Sequence, residues 1–288
     1  MTPIAKPPAP DAPPRGSADV FAGDGAPRGL RRASSYAAKV FAIARMETRK
    51  LRHDPTELLT RAIQPVLWLA VFGQVFAHTH AIPTGALGYV DFLAPGVLAQ
   101  SVLFVAIFYG ISVIWERDLG IVHKFLASPT PRTALVLGKA TSAGVRALSQ
   151  ALIVYLLALA LGVRVQVASS SVAGVTALVL LGAALFATFS LIVACLVKTR
   201  ERFMGVGQVL TMPLFFASNA IYPIAMMPPW LQRLAHANPL TYEVDGLRAL
   251  MLAGGSSAFG LPLDFAVLLA TLAVLVSIAG RLYPHIVT

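Results

Sequence analysis

Charged residues are scarce in this chain, at 12% of 288 residues, whereas soluble proteins carry about 25%. So few charges could not cover a soluble core when 57% of the side chains are hydrophobic. Cysteine is almost absent, and the single Cys195 excludes a fold held together by internal disulfides. The class that remains is a membrane protein with several spans.

The first thirty residues contain seven prolines and almost no apolar side chains. This composition is typical of disordered segments, and we expect a disordered cytoplasmic tail over residues 1–33. No continuous apolar stretch of the kind found in secretory signals begins before Val40. We therefore expect the first membrane span to direct targeting, and residues 34–284 to form the membrane domain.

Long apolar segments occupy most of the remaining chain, and about 20 such residues suffice to cross the hydrocarbon as a helix. The six segments of that length are residues 58–78, 92–115, 133–163, 172–197, 204–224 and 261–282. The sequence thus predicts an all-α integral membrane protein with six transmembrane helices.

Positive charges are distributed unequally between the two sides that these six spans define. Of 23 Lys and Arg residues, 19 fall on the side of the N-terminus and three on the other, while Arg146 lies inside a span. Loops rich in Lys and Arg stay in the cytoplasm, so both termini are predicted to be cytoplasmic. This result requires an even number of spans.

Residues 34–53 show the pattern of an amphipathic helix, with an apolar stripe opposite Arg45, Arg49 and Arg52. Such a helix can lie on the membrane surface with its arginines toward anionic lipid headgroups. A solvated helix packed on a partner protein would show the same pattern, so both interpretations stay open.

Two further segments are not explained by simple spans. Residues 116–132 are cytoplasmic and long enough for about three helical turns, with one apolar side, before Pro129 and Pro131 stop the helix. Residues 225–256 are too polar to span yet too rich in Trp, Leu and Met for a solvated loop. We interpret them as two short helices that dip into the outer leaflet and are broken at Asn238-Pro239.

Recognisable catalytic or metal chemistry is missing from the sequence. The residues on both sides of Gly138-Lys139 do not match the phosphate-loop pattern. His78 and His80 have no further metal ligands nearby in the sequence, so we expect no metal site. No acidic residue clearly falls at mid-membrane depth, which disfavours an ion-coupled secondary transporter. A membrane-embedded transferase, which would need a His, Asp or Arg cluster at one interface, is the other alternative.

Several short motifs in a fixed order resemble a known family. They are Glu116-Arg117 with Gly120 and Leu126 to Pro129, then Leu137-Gly138-Lys139, Asn238 to Tyr242, and Leu247-Arg248. Over residues 34–284 this order is similar to that of the membrane subunit of type 2 ABC exporters, which includes permeases for lipo-oligosaccharides, polysaccharides and daunorubicin-like drugs. Residues 34–284 would then be a type 2 ABC transporter transmembrane domain.

The resemblance implies a permease subunit of the cytoplasmic membrane that does not hydrolyse ATP itself. It would pair with a second copy and with two separate ATPase subunits, which bind ATP and Mg, and it would contact lipid but no nucleic acid. Residues 36–53 would be the membrane-surface helix, and residues 225–252 would be the outer re-entrant pair. Residues 116–128 would be the coupling helix that contacts the ATPase. The alternative for residues 116–128 is an ordinary basic loop. The residues assigned to coupling are Glu116, Arg117, Gly120, Ile121, Phe125 and Leu126.

Aromatic residues in the first and fifth predicted spans are candidates for a translocation path. Trp68, Phe72 and Phe76 recur every four residues on one stripe, and Phe215 and Phe216 lie in the fifth span. They would suit an amphipathic cargo, although packing or contact with lipid is the commoner role of such residues. Asn219 and Tyr222 are added because polar groups within a span need a partner or a wet cavity.

Overall fold

The structure is a computed structural model, and it describes residues 55–80, 82–85, 87–119, 132–197 and 199–282. The side chains of 55–59, 61 and 132–139 are not included in this description. The predicted tail, the surface helix with its three arginines, and Gly120, Ile121, Phe125 and Leu126 lie outside the described residues.

Helices account for nearly all of the described chain. They are α1 (Pro55–Val66), a π-helical segment (Leu67–Phe72), α2 (Gly73–Thr79), α3 (Tyr89–Asp118), α4 (Arg132–Ala160), α5 (Ser169–Leu196), α6 (Arg200–Phe216), a 3₁₀ turn (Ile224–Met226), α7 (Pro229–Ala237), α8 (Pro239–Met251) and α9 (Leu261–Leu282). Within these ranges the only extended pairing is a single antiparallel bridge between Val165 and Leu252. The all-α prediction is therefore confirmed for the described residues.

Five of these helical segments are long and apolar enough to cross a membrane. They are Ala62–Thr79, Tyr89–Asp118, Ala140–Ala160, Ser169–Leu196 and Leu261–Leu282. The predicted span at 204–224 differs, because α6 has 17 residues and ends at Phe216. The boundaries predicted for this span are therefore wrong at its C-terminal end.

Polar side chains explain why α6 ends there. The hydroxyl of Ser218 donates to the carbonyl of Phe215, and the amide of Asn238 donates to the carbonyls of Leu214 and Ala217. These carbonyls would otherwise accept bonds from the next helical turn. The following residues, up to Pro223, instead form turns that pack against α3.

The core is built around α3 and α5, which lie against each other and against α4, α8 and α9. Glycines allow the closest approaches along α3. A Cβ atom at Gly96 would overlap the Ala220 backbone, and one at Gly110 would overlap Ser190 and Phe203. By contrast, α9 and the first span expose most of their surface, as expected for helices that face lipid or another subunit.

The first span changes helical type in its middle. The π-helical segment follows Pro65, whose ring nitrogen cannot donate the usual backbone hydrogen bond. A helix with one missing donor accommodates π-type geometry more easily, and such segments often accompany functional sites.

Ion pairs identify which loops share an end of the bundle. Asp118 accepts from Arg200 at 2.8 Å, which joins the end of α3 to the start of α6. At the opposite end of α3, Asp91 lies 3.5 Å from Arg164. Residues 116–119 and 199–202 thus lie at one end of the bundle, and residue 164 lies at the other, in the same alternation that the charge distribution predicts.

The segment 225–256 contains two short helices, as predicted. Asn238 ends α7 and begins α8, where its side-chain oxygen accepts from the Leu240 N–H at 3.0 Å. Prolines at the first position of each helix fit these starts, because that position needs no backbone donor. The predicted break at Asn238-Pro239 is confirmed, and α8 lies buried against α5 and α9.

Candidate functional site

Aromatic rings from the first span form a continuous row. The centroids of Trp68 and Phe72 are 4.8 Å apart, and those of Phe72 and Phe76 are 4.4 Å apart. The row continues to Tyr89 at the start of α3, 5.7 Å from Phe76, a member that the sequence analysis did not identify. Its position depends on the turn between the spans, which no periodicity in the sequence reveals.

The predicted aromatics of α6 join this row. The Phe215 ring lies 5.3 Å from Trp68 and 5.4 Å from Phe216. Phe215 is 1% exposed and packs in the core, whereas Phe216 is 43% exposed. Five of the seven path residues predicted from the sequence therefore form one cluster.

An apolar groove follows one side of this cluster along the first span, with a volume of about 450 Å³. The residues that line it are Ile63, Gln64, Leu67, Trp68, Val71, Phe72, Val75 and Phe76. Gln64 is the one polar member of this lining. The groove can therefore accommodate an apolar chain or ring system but has little to hold a polar one.

The other two predicted path residues lie elsewhere. Asn219 is buried, and its backbone carbonyl accepts from the Arg248 guanidinium at 2.9 Å. The Tyr222 hydroxyl donates to the Phe216 carbonyl at 2.5 Å. Neither lines the groove, and the side-chain oxygen of Asn219 has no hydrogen-bond partner among the described residues, so a role of these two residues in a path stays a prediction.

Arg248 is the centre of a buried polar network beside the turn that follows α6, and only 7% of its surface is exposed. Its guanidinium lies 3.9 Å from the Phe92 ring centroid and 3.9 Å from the carboxylate of Asp245. It thereby ties α8 to α3 and to the turn after α6. The Leu247-Arg248 motif identified in the sequence thus has a structural explanation.

A second carboxylate, that of Asp264, lies next to this network. The Ser257 hydroxyl is 2.8 Å from an oxygen of Asp245 and 2.8 Å from an oxygen of Asp264, and the Phe259 N–H donates to Asp245 at 3.1 Å. This cluster fastens α8 to the start of α9. Both aspartates are buried; their oxygens that face Ser257 are hydrogen-bonded, whereas Oδ1 of Asp264 has no hydrogen-bond partner among the described residues.

Glu243 has an environment that the sequence analysis did not identify. It is fully buried, and neither carboxylate oxygen has a hydrogen-bond partner among the described residues. Its side chain lies against Gly182, which is half-way along α5. A carboxylate on the short helix α8 thus reaches the residue half-way along a long neighbouring helix, while its depth in a membrane stays a prediction.

The residues predicted to couple to an ATPase are described only at their start. Glu116 and Arg117 belong to the last turn of α3, and Arg117 donates to Asp118 at 3.0 Å. Arg200 lies over the Trp115 ring at 3.7 Å, so several charged groups meet at this end of the bundle. Within the described ranges, no three His, Cys, Asp or Glu side chains form a group that could hold a metal ion.

Several membrane-length helices with an aromatic groove along one of them define a multi-pass membrane protein. The sequence model of the family described as "ABC-2 type transporter" matches residues 38–252, so this chain belongs to that family. Proteins of this family are membrane subunits that pair with ABC ATPase subunits, and the chain is a permease rather than an ATP-hydrolysing subunit.

Similar proteins carry related names. "Putative transport permease ycf38" of Cyanophora paradoxa is 28% identical over 217 residues, which cover 75% of this chain and 74% of the relative. "Daunorubicin resistance ABC transporter permease protein DrrB1" of Streptomyces coeruleorubidus is 26% identical over 81% of each chain. "Probable multidrug ABC transporter permease YbhR" of Escherichia coli is 31% identical over 59% of this chain and 46% of the relative.

Proposed function

We propose that this chain is the permease subunit of an ATP-driven exporter in a cytoplasmic membrane, with both termini cytoplasmic. Its cargo would be an amphipathic drug, a lipid-linked saccharide or a similar molecule. The observation that carries this proposal is the apolar groove lined by Trp68, Phe72 and Phe76 in a member of the ABC-2 family. The name of the daunorubicin-resistance relative supports a drug-like cargo.

The proposed assembly contains two copies of this chain and two ATPase subunits, which supply ATP and Mg. In it α6 is the remaining span and completes a set of six. Seventeen residues rise about 26 Å, slightly less than the hydrocarbon thickness, which a locally thinned bilayer can accommodate. The first span and α6 expose apolar side chains such as Val71 and Val209, as a surface between copies requires.

Coupling to the ATPase is assigned to the segment that begins at Glu116. A change of Phe125→Ala together with Leu126→Ala removes two apolar side chains from the proposed contact, each worth about 1.5 to 3 kcal/mol when buried. We expect less ATPase to copurify with this variant. Copurification and export at wild-type levels would remove the coupling assignment.

A transport assay tests the groove. We expect inverted vesicles containing the permease and its cognate ATPase to accumulate a fluorescent amphiphile such as daunorubicin when ATP is added. Phe72→Ala should lower the rate about tenfold, because truncating a buried aromatic contact typically costs more than 1.4 kcal/mol.

Val274→Ala provides the matched control, since Val274 is an exposed apolar residue of α9 outside the groove. It should transport like the wild type. Equal rates for both variants would show that the groove is not part of the path, and uptake without ATP would contradict an ATP-driven exporter.

Glu243 gives the ion-coupled alternative a specific basis, because it places a carboxylate half-way along α5. Family membership favours ATP as the energy source. A proton ionophore distinguishes transport driven by ATP from transport driven by an ion gradient. If the ionophore abolishes transport while ATP remains present, the ion-coupled alternative replaces the present proposal.

A further inference from the structure

A second cavity, about 350 Å³ in volume, lies where α1, α3 and α4 meet. Unlike the apolar groove, it has many polar side chains in its wall: Thr60, Gln64, Ser101, Arg146 and Gln150. Among the described residues, no Asp or Glu belongs to this lining. Thr60, Arg146 and Gln150 each have other interactions as well, and the wall they form is polar enough to accept a polar occupant.

Three of these side chains lie well inside apolar helical stretches, whereas Thr60 precedes the stretch Ala62–Thr79 and Gln64 lies near its start. Gln150 is at the middle of the apolar stretch Ala140–Ala160, and Arg146 is one helical turn closer to the start of α4. Ser101 is near the middle of the sequence of α3. An arginine within a span usually faces the bundle interior or a cavity, pairs with polar groups there, and often marks a substrate or ion path.

The guanidinium of Arg146 is held at the cavity wall, with its carbon 5.4 Å from the centre of the Tyr109 ring. A guanidinium has five N–H donors, so it can bind a ligand while it keeps other contacts. Its planar arrangement of donors matches the oxygens of phosphate and carboxylate groups. Hydroxyl and amide groups of Ser101 and Gln64 provide further donors.

The polar cavity and the apolar groove adjoin, because Gln64 lines both. A molecule that occupied the two together would place a polar anionic group beside Arg146. Its apolar part would then lie along Trp68 and Phe72 on the first span. Neither a free anion nor a fully apolar molecule would fill both spaces.

We propose that the cavity at Arg146 binds the phosphate or carboxylate headgroup of an anionic amphiphile whose apolar part occupies the adjoining groove. The amphiphile is either an anionic membrane lipid or the transported molecule. Only the identification with the transported molecule rests on the proposed exporter function.

Native mass spectrometry of the purified full-length chain in a neutral detergent tests this binding without any ATPase. The probes are phosphatidylglycerol and phosphatidylcholine with identical acyl chains. We expect the anionic lipid to bind about tenfold more tightly, the ratio that 1.4 kcal/mol of affinity gives. Equal binding of the two lipids would overturn the proposal.

Variants locate the site. Arg146→Gln should remove the preference for the anionic lipid, whereas Arg146→Lys should keep most of it. Arg281→Gln is the matched control, because Arg281 lies in the last turn of α9 and away from the cavity. If the control loses as much preference as Arg146→Gln, the lipid responds to surface charge and the proposal fails.

If Arg146→Gln does not fold, Thr60→Phe tests the site instead, because Thr60 is exposed and lines the cavity. This variant keeps the charge but fills the space, and it should weaken binding of the anionic lipid. Unchanged binding would overturn the proposal. Complete displacement of the lipid by millimolar inorganic phosphate would also overturn it, because the apolar part would then contribute nothing.

Vesicles that contain the permease and the ATPase show whether the bound amphiphile is the transported molecule or a resident membrane lipid. If the bound lipid is the cargo, fluorescent phosphatidylglycerol should change leaflet when ATP is added. If it is a resident lipid, it should bind without changing leaflet, and the export of another amphiphile should depend on it. Failure of the export assay leaves the binding result standing, so the two proposals can fail separately.

Discussion

Single polar residues hold α8 against its neighbours in this permease. Asn238 caps α8 with its side-chain oxygen and uses its amide nitrogen to close the end of α6. Arg248 connects α8 to Phe92 and to Asn219. The sequence marks both residues as members of motifs, but apart from Leu240 their side-chain hydrogen-bond partners lie 21 to 156 residues away along the chain, and no local pattern identifies them.

Glu243 is the residue whose environment differs most from what its sequence context suggests. Glu243→Gln keeps the volume and carries no charge, so we expect the free energy of unfolding to change by less than about 1 kcal/mol. Glu243→Lys adds a longer charged group against Gly182, at a site without a partner, and should lower stability by several kcal/mol.

Thermal unfolding of the purified variants in detergent measures both effects. Glu201→Lys is the control, because Glu201 is exposed in the first turn of α6 and should tolerate the change within about 1 kcal/mol. A Glu243→Lys variant as stable as this control would show that the carboxylate is not buried in the way described.

At the scale of helices, close packing depends on glycines that no amphipathic pattern reveals. Gly96 lets α3 touch the backbone near Ala220, while Gly205 on α6 has no atom near the position of a Cβ. We expect Gly96→Ala to destabilise the protein by about 1 to 3 kcal/mol, because the backbone it meets cannot move aside easily.

Gly205→Ala should instead stabilise it by up to about 1 kcal/mol through helix propensity. Urea or detergent-titrated unfolding, monitored by tryptophan fluorescence, compares the two variants with the wild type. Equal stability of the two alanine variants would contradict the close contact between α3 and the turn after α6.

The first span departs from a regular α-helix, yet its aromatic side chains stay on one side. Trp68, Phe72 and Phe76 were predicted to share a stripe, and they do so even though a π-helical segment carries Trp68 and Phe72. The stripe could be predicted because a spacing of four residues keeps side chains on one face. The π-helical segment could not, because it follows from how the span bends after Pro65.

At the scale of the whole molecule, the two ends of the bundle follow from the ion pairs of Asp118 and Asp91. The 19 to 3 distribution of positive charges predicts that the end with Asp118 faces the cytoplasm. In a Cys195→Ala background, an impermeant thiol reagent should label Ser256→Cys in intact cells. It should label Glu201→Cys only after the membrane is permeabilised, and labelling of position 201 from outside would reverse the topology.

The sequence by itself determined that this chain is a helical membrane protein, how most of its spans are bounded, and to which family it is similar. Those properties depend on composition, on apolar length and on short motifs, all of which are local. Only the tertiary structure decided that α6 ends at Phe216, that Glu243 reaches the middle of α5, and that Gln64 connects a polar cavity at Arg146 with the aromatic groove. These features arise where side chains from distant parts of the chain compete for the same hydrogen bonds and the same space. Local periodicity cannot predict the outcome, because it depends only on residues that are near one another in the sequence.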